Sequence, residues 1–214
     1  MRFLGFLAAA MLVTLGDAAV SDGQQTIHFS TAPFAGSTAL ETPGRQIVGG
    51  GLLTTFDPAL DVFSFETSAF GIGNSVNFAN GVVGAIPASG LNIIVLQTFD
   101  NDNNAATFFG AGNAANLLAT QITSSGAGVF LYFNSSLDIA RLIYSADLSD
   151  ETADLKVLAH LTNLSGAAGR DAFSAFTAEN FQLVTTVPEP TTFAMLFAGV
   201  ALIAGTRFRT RRAR

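Results

Sequence analysis

The chain has 214 residues, no cysteine and a formal net charge of −6. Its bases are concentrated at the ends, and between residues 19 and 187 only Arg45, Arg141, Lys156 and Arg170 face every acidic residue except Asp17 and Glu189. A domain this acidic repels phosphate backbones, which excludes nucleic acid as a partner, and the lack of cysteine excludes disulfides, thiolate nucleophiles and thiolate metal sites.

The chain opens with Arg2, an apolar stretch from Phe3 to Leu15, and then small residues. Gly16 and Ala18 occupy the −3 and −1 positions for cleavage after Ala18. The order of base, apolar core and small residues is that of a signal peptide, and the core is too short to span a bilayer comfortably. Residues 1–18 are therefore read as a signal helix, with the Sec export machinery and signal peptidase as partners.

Residues 19–186 form the passenger. Its stability rests on packing, for which 20 Phe and many aliphatic residues are available. Strand-length runs bounded by Gly, Asn, Asp or Ser are 24–30, 46–56, 61–70, 75–84, 91–100, 128–135, 137–146, 153–162 and 180–186. The run 91–100 is apolar on both faces, which suits a central strand. This pattern predicts an all-β domain of β-sandwich or jelly-roll type with short helical turns.

In 137–146, Leu137, Ile139, Arg141 and Ile143 share one face, and Ala140, Leu142 and Tyr144 the other. In 153–162, Leu155, Val157, Ala159 and Leu161 face one way, with Lys156, Leu158, His160 and Thr162 opposite. The Asp- and Ser-rich connector predicts a hairpin between the two runs. Helix is expected over 111–122, where Ala115, Leu118 and Ile122 fall on one side, and as a turn within 171–180.

Candidate sites are few. Asp100, Asp102 and Asn104 in FDNDNNAAT alternate like the ligands of a calcium loop. The EF-hand pattern fails, because Ala105 stands where Gly is required and no Glu closes the loop. The alternative is an Asx-rich turn. Asp147, Asp150, Glu151 and Asp154 form a second acidic group, a metal candidate or a solvated charge run. His28 and His160 are the only histidines, and neither lies in a hydrolase motif. The glycines at 49–51 lack the Lys and helix of a phosphate loop and are read as a bulge or tight bend. No catalytic constellation emerges, and the passenger is expected not to be an enzyme.

The last stretch begins with Val187, Pro188, Glu189 and Pro190. An uncharged run from Pro190 to Thr206 follows, with Phe193, Met195, Leu196, Phe197, Val200, Leu202 and Ile203 as its large apolar members. As a helix it would reach about 25 Å, against roughly 30 Å for a hydrocarbon core. Arg207, Arg209, Arg211, Arg212 and Arg214 then supply a basic stop that stays cytoplasmic by the positive-inside rule. Motif, apolar segment and arginine cluster, paired with an N-terminal signal peptide, resemble the PEP-CTERM sorting signal of Gram-negative bacteria.

That resemblance implies recognition of the Pro-Glu-Pro motif by an exosortase, a membrane-embedded processing enzyme. It also implies transient anchoring in the inner membrane by residues 187–214, removal of the anchor, and release or attachment at the cell surface or in an extracellular polysaccharide matrix. It implies a route rather than an activity. The passenger is expected to be a structural or polysaccharide-associated binding module, with calcium as the one cofactor candidate. The alternatives are a secreted carbohydrate-active hydrolase on a jelly-roll scaffold and a permanently tail-anchored envelope protein.

Overall fold

The computed structural model describes residues 23–104 and 106–185. The expected signal helix, the sorting motif at 187–190, the membrane helix and the basic tail lie outside the described residues. Among the described residues no helix is long and apolar enough to cross a membrane.

Strands dominate, as expected for an all-β chain. In order they are β1 (Thr26–Phe29), β2 (Ile47–Val48), β3 (Leu52–Thr54), β4 (Val62–Glu66), β5 (Phe78–Gly81), β6 (Ile93–Leu96), β7 (Gly128–Asn134), β8 (Ile139–Ser145), β9 (Leu155–Ser165) and β10 (Phe181–Val184). The helices are α1 (Thr67–Phe70), α2 (Ala111–Gln121) and α3 (Gly166–Asp171), with 3-10 turns at Val83–Ala85, Ala172–Ala175 and Ala178–Asn180.

The strands form two sheets. The smaller has the order β1-β4-β10, and both of its ladders are parallel. The larger runs β2-β9-β8-β7-β6-β5, with β3 also paired to β9. Here β5, β6 and β7 are mutually parallel, β7, β8 and β9 are antiparallel, and β2 and β3 run parallel to β9. The sheets share a core, but this pairing is not the antiparallel one of a jelly roll. Parallel neighbours need a crossover, and between β6 and β7 that crossover is α2.

Two apolar layers follow from the pleat of the large sheet. Ile93, Val95, Val129, Leu131, Phe133, Ala140 and Leu142 point toward the small sheet, where they meet Phe63, Phe65 and Phe181. Ile94, Leu96, Phe130 and Ile143 point the other way, against Ala114, Ala115, Leu118 and Ile122 at α2. The first layer is aromatic: Phe56 stacks on Phe63 at 4.1 Å between ring centroids and on Phe176 at 5.4 Å. Each fully buried Phe contributes about 1.5–3 kcal/mol, the means by which a chain without disulfides holds two sheets together.

Several sequence expectations shift at their boundaries. The run 46–56 divides into β2 and β3, 61–70 ends as strand at Glu66 and continues as α1, and 75–84 is strand only over β5. The helix over 111–122 forms as α2, with Ala115, Leu118 and Ile122 buried as expected. The region 171–180 holds the two short 3-10 turns that follow α3. Leu137 is not in a strand; it lies in the turn between β7 and β8, half exposed.

The face assignment in β9 is corrected. Leu155 and Val157 join the α2 layer, whereas Ala159 and Leu161 join the layer between the sheets. A bulge explains the switch: Leu142 pairs with Ala159 but Ile143 with Val157, which leaves Leu158 as the extra residue. The neighbouring edge adapts to it. Val48 pairs with Lys156 and Leu52 with Ala159, so Gly49–Gly51 stand against Val157 and Leu158. The glycine run is thus the bend the sequence suggested. Gly50 has φ +80°, and a Cβ on Gly51 would lie 2.7 Å from Val157 Cγ1 and 3.2 Å from the Ala159 amide nitrogen.

The β8–β9 hairpin forms, and its acidic connector is held by its own carboxylates. Asp147 accepts from the Ser125 hydroxyl at 2.5 Å, the Ser149 amide at 2.9 Å and the Ser149 hydroxyl at 2.8 Å. Asp150 accepts from the Thr152 amide and hydroxyl at 2.7 and 2.8 Å. Asp154, buried, takes the Leu40 and Gln46 amides at 2.5 Å each, which clamps the loop where Leu40 has φ +70°. Burial opposes ionisation of Asp147, but its donors outweigh that and hold it below the usual carboxylate range. The Thr152 bonds do the same for Asp150.

Gly51→Ala is expected to lower stability by about 1–3 kcal/mol, because the new methyl has no space. Gly49→Ala meets nothing within 4 Å and should stay within about 0.5 kcal/mol; thermal unfolding of the pair checks the contact. The depressed Asp147 and Asp150 contribute stability that is present above the ordinary carboxylate value and lost as pH falls through their folded values. The denaturation midpoint should therefore hold from neutrality to about pH 4 and fall below it. Asp147→Asn should flatten part of that fall, and a midpoint level down to pH 2 would refute the assignment.

Candidate binding cleft at the carboxyl ends of three strands

Strands β6, β7 and β9 point in the same direction, because β6 and β7 are parallel and β9 is two antiparallel steps from β7. Their carboxyl ends deliver Phe99 and Asp100 after β6, Ser135 after β7, and Arg170 in α3 after β9. With Thr107 these residues line a cleft of about 340 Å³. In sheets with parallel strands this end is where connecting loops part and leave room for a ligand.

Each side chain is set by its neighbours. Phe99 is partly buried and packs edge-on against Phe133 at 6.1 Å and Phe173 at 5.5 Å between ring centroids. Arg170 lies over the Phe133 ring, 5.1 Å from its centroid, which orients the guanidinium without using its N–H groups. The Ser135 hydroxyl oxygen accepts from the Phe109 amide at 2.7 Å, which leaves its proton free to donate. Next to Thr107 in the chain, Phe108 is 69 % exposed. An apolar ring, a guanidinium, a carboxylate and a hydroxyl converge on one small volume.

The calcium candidate residues enter this geometry differently. Asp100, Asp102 and Asn104 each accept through Oδ1 from the backbone amide two residues on, at 3.1, 2.9 and 3.1 Å. The loop is thus a succession of Asx turns. The Thr107 hydroxyl closes it by donating to both Asp102 oxygens, at 2.9 and 2.7 Å, and holds Asp102 below the usual carboxylate range. Of the three, only Asp100 reaches the cleft. Among the described residues no group of three or more His, Cys, Asp or Glu is arranged around a metal position.

The remaining candidates are apart from one another. His28 Nδ1 lies 3.2 Å from the Ser64 hydroxyl. His160 pairs with Arg141 across β9 and β8; burial first, and the Arg141 charge second, hold its pKa below the ordinary histidine value. Asp147, Asp150 and Asp154 are occupied in the hairpin connector. The buried Asp61 takes the Gln25 and Asp57 amides at 2.8 Å each. Ser135 and Arg170 carried no motif in the sequence, and Phe99 and Thr107 bracketed the acidic loop without a role of their own; Arg170 stood out only as one of four bases in an acidic stretch.

Comparison with protein-family models matches residues 186–212 to the PEP-CTERM protein-sorting motif. No curated protein and no solved structure matches the chain. The motif implies export, sorting to the cell surface and an exosortase as the processing partner. The chain thus carries a PEP-CTERM sorting motif at residues 186–212.

Proposed function

We propose that the exported passenger is a polysaccharide-associated binding module that holds a neutral glycan segment in the cleft lined by Phe99, Asp100, Ser135 and Arg170. The observation that carries this reading is the pairing of an aromatic ring with planar, multidentate polar groups at one site. Sugars present apolar C–H faces and vicinal hydroxyls, and this set offers a partner for each. Arg170 donates, Asp100 accepts and Ser135 donates, while the acidic surroundings disfavour an anionic chain. Asp100 is the one carboxylate among the described lining residues, whereas glycoside hydrolysis uses a facing pair; that favours binding over hydrolysis.

The route is read from the sorting motif. The signal peptide at 1–18 exports the chain, and the apolar run after Pro190 holds it in the inner membrane. The exosortase then acts at Pro188-Glu189-Pro190, and the passenger enters the surface matrix.

Calorimetric titration of the full chain with a panel of neutral oligosaccharides is expected to find at least one binder. Arg170→Ala and Asp100→Asn should each weaken it by at least about tenfold, the value of a hydrogen bond to a charged group. Turnover of the sugar, or indifference to both substitutions, would overturn the reading. For the route, mass spectrometry of surface material from an exosortase-bearing host should show chains lacking Arg207–Arg214. Glu189→Ala should leave the arginine tail attached, and a tail intact on most wild-type molecules would instead mean a permanent anchor.

A further inference from the structure

A second cavity lies away from the cleft, where the end of β1 passes the bulged segment of β9. It measures about 270 Å³ and is bordered by His28, Ser30, Thr31, Lys156 and the apolar side chains of Phe70 and Leu158, among others. Its polar chemistry is unlike that of the domain around it. No carboxylate is among its described lining residues, whereas Lys156, one of the domain's four basic side chains, is. Lys156 donates one N–H to the Gly49 carbonyl at 2.7 Å, a bond that aims the ammonium and leaves two donors. The His28 ring turns away from the cavity, toward Ser64 on the face of the small sheet opposite Phe29 and Phe65. The hydroxyls of Ser30 and Thr31 have no hydrogen-bond partner among the described residues.

We infer that this cavity is a separate binding site for a ligand that presents a carboxylate to Lys156 and rests its carbon skeleton on Phe70 and Leu158. Donors without a competing acceptor favour an anion, and the ammonium gives a carboxylate its strongest contact. The volume lies just below the usual range of ligand pockets and suits a single ring. The position depends on the bulge: Lys156 and Leu158 flank Val157, and the Gly49–Gly51 bend supplies the carbonyl that aims the ammonium. The same carboxylate chemistry is offered by a uronate residue of an acidic glycan and by a free apolar carboxylic acid. This site does not depend on the glycan reading of the Arg170 cleft.

The test is calorimetric titration of the full chain in detergent micelles with benzoate and its neutral counterpart benzyl alcohol, and with glucuronate and its neutral counterpart glucose. At least one acid should bind tenfold more tightly than its neutral counterpart; benzoate alone identifies an apolar acid, glucuronate alone a uronate, and both a site that reads the carboxylate itself. Lys156→Gln should remove the preference, and so should Thr31→Asp, an exposed rim substitution that leaves Lys156 and its carbonyl contact in place. Arg170→Ala should leave it unchanged, which separates this site from the cleft. Equal binding of acids and neutral counterparts, no binding of any of the four, or insensitivity to Thr31→Asp in a folded protein would overturn the inference.

Discussion

The bulge at Leu158 is the constraint on which most of the domain depends. β9 carries β8 on one side and both β2 and β3 on the other, so any change in its pleat is passed to three neighbours. A regular strand would have sent Leu155, Val157, Ala159 and Leu161 to one layer. The extra residue divides them, two beneath α2 and two against the aromatic layer, and the same strand seals both cores. The opposing edge must then absorb the irregularity, and only glycine fits where Gly51 approaches Val157 and Ala159.

Without cysteine or a large supply of cations, the domain holds its loops with Asx side chains. Asp61, Asn92, Asp154 and Asn180 are buried, and each bonds the backbone of a distant or neighbouring loop. Asp61 and Asp154 each satisfy two amides, which is how a carboxylate is kept away from water without a paired cation. Asn80 does the equivalent at the edge of the large sheet, where it donates to the Phe173 and Phe176 carbonyls and joins β5 to the turns after α3. Much of the acidity that looks like ligand chemistry in the sequence is therefore architectural. Of the positive side chains that are not spent in this way, Arg170 stands at the cleft and Lys156 at the cavity beside the bulge.

This division bears on function. A sorting motif describes how a protein reaches the surface, and residues 186–212 carry that information without reference to the fold in front of them. The passenger contributes what its surface chemistry permits. Both of the cavities described are small, and each has an apolar wall and a handful of polar groups.

Local order along the chain was enough for the strand-rich class, the hairpin between 137–146 and 153–162, the helix near 111–122 and the glycine bend at 49–51. Each of these rests on periodicity or on backbone freedom, properties of neighbouring residues. The sorting signal was likewise readable, because its recognition depends on a short linear order. The parallel pairing of β1, β4 and β10 had no such signature, since these strands are far apart in sequence and their partners are chosen by packing of the two sheets. The bulge escaped notice because residues 153–162 alternate cleanly, and an extra residue is visible only against the partner strand. For the same reason Asp100 could be singled out as a loop acid, whereas its company with Ser135 and Arg170 arises only when the carboxyl ends of β6, β7 and β9 are brought together.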